Sequence, residues 1–363
     1  MKTLLLGDIC PSKASTESFV NKDIDRLFGD AVSLFRDSEF TFANLECAIT
    51  ESEARIKKFG PHLKAPREIA EVMKEIGISL CGLSNNHVFD FGIEGAVDTI
   101  NALNSVSIPY TGFGMNYEDS RKNYVIEKDG ERIVIVAVCE HEFSGALKNR
   151  MGSRTFDEFE TIEDIREAKK NADRVIVLYH GGKEYSRFPS PRLRKACRAM
   201  VSAGADVVLC QHSHCIGCYE RVGNSHILYG QGNFHFVSLF YDVECWHTGL
   251  AVKYDTKSGE MELIPVIETE NGIELAKGED YERLMRELAE RNADLENGKW
   301  LDHWHNFCVE NCDIYVKGVA NASREESTEQ DNVLFAQLLN CEAHNDVLRE
   351  LFKTWNETNC LET

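Results

Sequence analysis

Apolar and polar positions along the chain follow two alternating periods, and their order predicts an α/β architecture. Residues 2–6 are a short apolar run closed by Gly7-Asp8, the pattern of a buried strand. Over 23–36, Ile24, Leu27, Phe28, Ala31, Leu34 and Phe35 recur at helical spacing. A short apolar run at 40–43 leads into Asn44-Leu45-Glu46. The spacing then predicts helix 67–76, strand 78–83, helix 93–104 and strand 106–110. Runs at 123–127 and 132–138, joined by Lys-Asp-Gly-Glu, read as a hairpin. Helix 161–171, strand 174–179, helix 191–203 and strands 206–210 and 226–229 follow. Two last strands near 249–254 and 260–267 flank a Lys-Ser-Gly turn. The hairpins imply mixed sheets rather than one parallel sheet. From about 272 the strand signals fade, and 279–294, 329–340 and 344–356 take helical spacing. We read an α/β unit over 1–271 and a helical extension over 272–363 that packs on it.

Composition narrows the class. The 363 residues are 43% hydrophobic and 28% charged, an ordinary globular balance that needs no disulfide staples. Lys plus Arg is 40 against 60 Asp plus Glu, a net charge of −20 that disfavours nucleic acid and anionic membrane surfaces. It leaves a small acidic substrate open, because a bound cation reverses the local field. No apolar run reaches the length that spans a bilayer, so no membrane anchor is expected in this chain. MKTLLL stops at Gly7-Asp8, short of a secretory leader. The 13 scattered cysteines read as reduced thiols, and the expected location is cytoplasmic.

The informative pattern is where the polar residues fall. Asp8 follows the first predicted strand, Asn44 and Glu46 the second, and Asn85, Asn86 and His87 the third. His180 ends strand 174–179, and His212 and His214 follow strand 206–210. Ligands of open α/β sheets bind at the carboxyl ends of strands. Singly, each signal has a plainer reading. A strand-terminal Asp caps helices, Asn-Asn makes turns, and a lone His often sits satisfied in a core. The His-x-His pair is stronger, since alternate residues of an extended segment point the same way. Jointly they predict a cleft lined by carboxylate, amide and imidazole, a donor set suited to Mn, Fe or Zn. Two such ions with a bridging carboxylate form a hydrolytic centre that yields a hydroxide nucleophile at neutral pH.

These residues resemble the CapA-type family, named for poly-γ-glutamate capsule biosynthesis, within the calcineurin-like metallophosphatase superfamily. The matching segments are GDIC at 7–10, NLECAIT at 44–50, LSNNHVFDFG at 83–92, GFGMN at 112–116, HGGKEY at 180–185, SAGADVVLCQHSH at 202–214 and ILYGQGNF at 227–234. They span about residues 3–255; the extension lies outside them. The resemblance implies a four-layer α/β/β/α sandwich of two mixed sheets with a dinuclear site between them. It implies Asp8 and His214 on one ion, Asn86, His180 and His212 on the other, and Glu46 as the bridge. His87 would act on the leaving group and Asp90 would orient His87. Glu184 and Asn233 would stand behind the ligands or against substrate, and Asn44 and Asn85 are candidates for the same role. His235, after the Gly-Asn loop, either reaches substrate or alternates outward from a strand.

Two features depart from the wider superfamily. Its opening Asp-x-His has Cys10 at the third position here, either a thiolate ligand that favours zinc or a small buried residue. Its bridging Asp is the longer-armed Glu46. Cys215-x-x-Cys218 has no second pair to complete a zinc knot and reads as structural thiols. His303, His305, Cys308 and Cys312 cluster in the extension as either a small zinc site or helix-core residues. The favoured activity is metal-dependent phosphoester hydrolysis. The alternatives are a peptide- or γ-glutamyl-directed enzyme, acting by hydrolysis or α-carbon proton abstraction, and a non-catalytic capsule or polymer assembly module. The expected substrate is correspondingly a small phosphoester or a peptide- or polyglutamate-like molecule.

Overall fold

The computed structural model describes residues 1–237 and 243–359, with side chains through 353. Two mixed sheets face each other. In the first, parallel strands Lys2–Ile9, Phe40–Leu45, Leu80–Gly82 and Tyr110–Thr111 lie side by side. Antiparallel strands Thr248–Asp255, Met261–Glu268 and Ile273–Leu275 extend its other side, and Asn233–His235 pairs in parallel with the end of Lys2–Ile9. In the second, Glu131–Cys139, Arg174–His180, Val207–Gln211 and Ser225–Leu228 are parallel, edged by antiparallel Tyr124–Lys128 and Tyr219–Val222.

The unbroken apolar runs follow from burial on both faces of each sheet. Leu5, Phe42 and Leu80 of one sheet meet Ile135, Ile176 and Leu209 of the other in a shared central core. Their neighbours turn the opposite way. Leu4, Leu6 and Ala43 pack under the helices of the N-terminal half. Val134, Val136 and Val177 pack under helices Glu158–Lys169 and Pro191–Ala203. The four-layer α/β/β/α sandwich is therefore the architecture of residues before the extension.

Local chemistry moves some boundaries. The helix expected over 23–36 breaks into Ile24–Phe28, the 3-10 turn Gly29–Ala31 and Val32–Arg36. Gly29, at φ +47°, makes the break, and a Cβ there would lie 3.1 Å from the Ile273 carbonyl oxygen. The strand expected over 106–110 shortens to Tyr110–Thr111, because Ser107 is left-handed and Pro109 lacks a donor. The hairpin turn of Asp129 and Gly130 has positive φ at both positions, matching the strand twist.

The boundary expected at 271 falls just before the edge strand Ile273–Leu275. Helix Gly278–Asn297 then sends Leu284 and Leu288 into the central core and Leu295 into the outer one. Helices Trp300–Glu310, Cys312–Ala322, Glu329–Asn340 and Glu342–Asn359 follow around Trp304, Cys308, Tyr315, Leu338 and Val347. The zinc reading of the extension is corrected by geometry. His303 bonds Asp294 and stacks on Phe188, His305 bonds Glu350, and Cys308 is buried in the helical core. Those side chains, with Cys312, do not converge.

A buried ionic knot holds the extension on the sandwich. Arg192 donates to Glu140 at 2.7 Å and to Asp346 at 3.0 Å. Ser190 donates to Asp346 at 2.5 Å, and the Ala343 amide to Glu140 at 3.1 Å. Removing one member of a buried ion pair strands the other charge without water. Arg192→Met is therefore expected to cost about 3–5 kcal/mol in urea unfolding. Arg349→Met, at an exposed position 4.0 Å from Asp346, should stay within about 0.5 kcal/mol. Equal effects from the two would contradict the anchoring role of the knot.

Candidate metal centre

The parallel strands of both sheets run the same way, so their carboxyl ends deliver polar side chains to one place. Asp8 lies near the end of Lys2–Ile9, Asn44 near that of Phe40–Leu45, with Glu46 just beyond. Asn85, Asn86 and His87 follow Leu80–Gly82. His180 closes Arg174–His180, and His212 and His214 follow Val207–Gln211.

Asn44 ties the first contributions together. Its Nδ2 donates to Asp8 Oδ1 at 2.7 Å and lies 3.1 Å from His180 Nδ1. His180 Nε2 faces Asn86 Oδ1 at 3.0 Å and Glu46 Oε1 at 3.3 Å. Asp8 Oδ2 accepts the His212 amide at 3.1 Å, and His214 Nδ1 lies 3.9 Å from the same oxygen. His214 Nδ1 also meets Asn233 Oδ1 at 2.9 Å. Asn85 is turned inward: Nδ2 donates to Asn44 and to the Leu45 carbonyl, and Oδ1 accepts the amides of His87 and Val88.

The His-x-His segment is not extended, contrary to the expectation that put both rings on one side by alternation. His212 has φ +76° and His214 +53°, left-handed for both, and turns rather than strand geometry aim the rings. Such backbone costs about 1–3 kcal/mol per residue and persists only where the surroundings hold it. The Asp8–His212 amide bond is one such hold.

Glu46 is the centre of the arrangement. It is fully buried, and neither carboxylate oxygen has a hydrogen-bond partner. His212 Nδ1 is a buried orphan as well. Single ligand atoms of Asp8, Glu46 and His180 all lie within 4.8 Å of one another, as do those of Glu46, His212 and His214. Glu46 belongs to both groups, the position of a bridge. The grouping departs from the expected partition, which set Asp8 with His214 and His180 with His212.

A buried carboxylate with no hydrogen bond and one imidazole contact remains under-compensated, and a cation relieves that cost. The donors, carboxylate oxygen and imidazole nitrogen, suit a divalent transition ion. The titrations tell the same story. Burial pushes the Asp8 carboxyl up, but His180 outweighs it and holds Asp8 well below the usual carboxylate range. Burial pushes His180 down, yet Glu46 and Asp8 raise it to about 10. Burial and the neighbouring His180 hold His212 well below its ordinary value.

His87 stands at the cavity side of this cluster. Its Nδ1 meets Asp90 Oδ2 at 2.7 Å and Lys58 Nζ at 3.1 Å, while Lys58 also pairs with Asp90. Asp90 accepts the Leu63 amide at 2.7 Å, which pins the loop carrying Lys58. Burial, then Lys58, lower the His87 pKa, and Asp90 opposes them.

Some expected residues lie elsewhere. Cys10 is buried in the core under the N-terminal helices, its thiol pushed up by burial and Cys47, and it joins neither donor group. His235 packs against the rings of Phe19 and Phe28 at 4.9 and 5.2 Å, away from the cavity. Glu184 lines the cavity, paired with Lys183 at 3.0 Å. Cys215 and Cys218 donate to the carbonyls of Ser186 and Arg187, as structural thiols do.

Two site residues escaped the sequence reading. Lys58 lies in a loop with no periodic signal. Glu142 follows strand Glu131–Cys139, so the strand-end rule already pointed to it. Its carboxylate lies 3.4 Å from His212 Nε2 and 3.3 Å from Asn86 Nδ2. Burial and then Glu184 raise Glu142 to about 7.

Comparison with known proteins follows the same residues. The family described as "Bacterial capsule synthesis protein PGA_cap" matches residues 2–238. The capsule biosynthesis protein CapA of Bacillus anthracis is 30% identical over 241 residues, 64% of this chain and 59% of that protein. The PGA biosynthesis protein CapA of Bacillus subtilis is 30% identical over 235 residues, 64% of this chain and 62% of that protein. The chain thus aligns with about three-fifths of the length of these relatives. A phosphatase from Mycoplasma pneumoniae is similar in structure at TM-score 0.46 and 13% identity, covering 74% of this chain and 93% of that one. The NAD nucleotidase of Haemophilus influenzae gives TM-score 0.42 and 14% identity, covering 80% of this chain and 56% of that one. These two stand as partial likenesses in shape. With the family match over residues 2–238, most of the chain, this protein belongs to the bacterial capsule synthesis PGA_cap family.

Proposed function

We propose that the chain is a divalent-cation-dependent hydrolase of phosphoester type. The observation that carries this reading is Glu46, buried with neither oxygen hydrogen-bonded, in ion-pair contact with His180 and shared by two donor groups. Asp8, Glu46 and His180 would hold one ion, and Glu46, His212 and His214 the other. Asn86 Oδ1 and Glu142 lie close enough to add donors. Mn, Fe and Zn all suit this set. A bound pair supplies Lewis acidity, activates water and stabilises the oxygens of an in-line displacement.

The chain's own residues do the rest. Asn44 holds Asp8 and His180 in register, and Asn85 holds Asn44. Asp90 and Lys58 engage His87 at Nδ1, leaving Nε2 to exchange a proton with the leaving oxygen. Asn233 orients His214. The unit over 1–271 carries this chemistry, and the extension over 272–363 lies against it. Among the described residues no helix is long and apolar enough to cross a membrane. The described cysteines are all unpaired, which suits the reducing cytoplasm we propose as its location. The resemblance to a poly-γ-glutamate capsule family makes γ-glutamyl peptides worth trying beside phosphoesters.

Cation binding should be visible without turnover. Mn²⁺ at a hundredfold excess over its Kd should add about 2.7 kcal/mol to the unfolding free energy. Glu46→Gln, unable to bridge two cations, should lose most of that gain in the same urea titration. A full gain in the variant would remove Glu46 from the centre.

Activity is tested by steady-state turnover of phosphomonoesters, phosphodiesters, nucleotides and γ-glutamyl peptides with Mn²⁺ present. Phosphoester turnover is expected, and His87→Ala should lower kcat by about 10²–10⁴ while Mn²⁺ affinity holds. Turnover of γ-glutamyl peptides alone would overturn the phosphoester reading. No turnover of any substrate with Mn²⁺ bound would point to an assembly module.

A further inference from the structure

One edge of the cluster, His214 with Asn86 and Glu142, borders a cavity of about 840 Å³, and residues of the helical extension build part of that cavity's wall. His87, Asn86, Glu142 and His214 line its inner end. Phe307, Ile314, Tyr315, Leu334 and Gln337 of the extension line the same cavity, and Gln337 reaches Glu142. None of these five falls within the stretch that matches the family, which ends at residue 238. The family resemblance therefore says nothing about this wall.

We propose that the extension completes the substrate pocket and makes it selective for small anions with an aromatic or branched apolar body. The anionic head would sit at the cation cluster, and the body against Phe307, Ile314 and Leu334. This proposal rests on the cation-centre reading above and adds the ligand class.

Three observations carry it. The first is position and chemistry together. Ile314 is 42% exposed although it faces a cavity, and Phe307 and Leu334 are half-buried beside it. Apolar side chains left wet next to a cluster of polar donors are the composition of a small-molecule site. Phe236 and Trp246, packed on the His214 ring at 5.7 and 4.2 Å between centroids, line the same cavity.

The second is rigidity. Gln337 Nε2 donates to Glu142 Oε2 at 3.3 Å, so the wall touches a residue bonded to the cluster. The Arg192–Glu140–Asp346 knot and the His141–Glu342 contact at 2.6 Å fix the helix that follows. A fixed wall discriminates between ligands because it does not yield to fit them.

The third is charge and size. Lys13, Lys58 and Lys183 line the cavity with Glu142 and Glu184, Lys58 being paired with Asp90 and Lys183 with Glu184, so bound cations would supply the excess positive charge that favours an anionic head. The volume lies within the roughly 300–1,000 Å³ range of small-molecule pockets.

Calorimetric titration of the Mn²⁺-loaded full chain with methylphosphonate and phenylphosphonate tests the proposal without turnover. Phenylphosphonate should bind about tenfold tighter or better, the return on burying one ring. Ile314→Gln and Leu334→Gln should each reduce that preference severalfold. Methylphosphonate and Mn²⁺ affinities should stay at wild-type values, which also reports that the variants are folded. Binding of methylphosphonate with no phenyl preference, or a preference that neither variant changes, would overturn the wall and leave the cation centre standing. If neither phosphonate bound to the Mn²⁺-loaded protein, the anionic-head assignment and the phosphoester reading would fall together.

Discussion

The structure turns on one unbalanced interaction. A carboxylate, Glu46, is held at the closed end of a cleft with neither oxygen hydrogen-bonded, among two more acidic groups and three imidazoles. Burying such a group uncompensated costs several kcal/mol, because the charge loses its water and gains nothing fixed in return. His180 offsets part of that cost, drawn up to about 10 by the carboxylates it lies between. A divalent cation offsets it more completely, since one ion can answer Asp8, Glu46 and an imidazole at once. The site is thus shaped for positive charge before any substrate enters.

The remainder of the molecule keeps those groups in place. Both sheets are parallel where they meet the site, so six strands deliver their last residues to one edge. Amide side chains then fix the ligands: Asn44 spans Asp8 and His180, Asn85 locks Asn44, and Asn233 holds His214. Left-handed backbone at His212 and His214, rather than strand alternation, sets the direction of the two rings. Behind the second sheet, Glu140 leaves the same strand end as Glu142 but turns to Arg192 and the last helix. One strand end therefore serves both the centre and the docking of the extension.

Much of this was legible in the sequence, for physical reasons. Unbroken apolar runs and period-3.6 patterns located most elements of the sandwich, because each sheet is apolar on both faces and each helix on one. Asp8, Glu46, Asn86, His180, His212 and His214 were visible as polar residues just past apolar runs. Other features were not legible. Lys58 has meaning only through a loop folded onto Asp90. Glu142 was hidden by reading its strand as half of a hairpin, although that strand also pairs in parallel with Arg174–His180. His235 looked available from its position, yet its strand faces the ring into Phe19 and Phe28. The cavity wall depends on tertiary docking of helices whose own spacing records only which face is apolar.

The central claim is that cations sit around Glu46. Anomalous diffraction from crystals of the Mn²⁺-loaded protein measures this directly. The account predicts two peaks roughly 3.5–4 Å apart, one on each side of the Glu46 carboxylate, with Asp8 and His180 beside one and His212 and His214 beside the other. Manganese found only outside this cluster, with the Glu46 oxygens still lacking a partner, would contradict it.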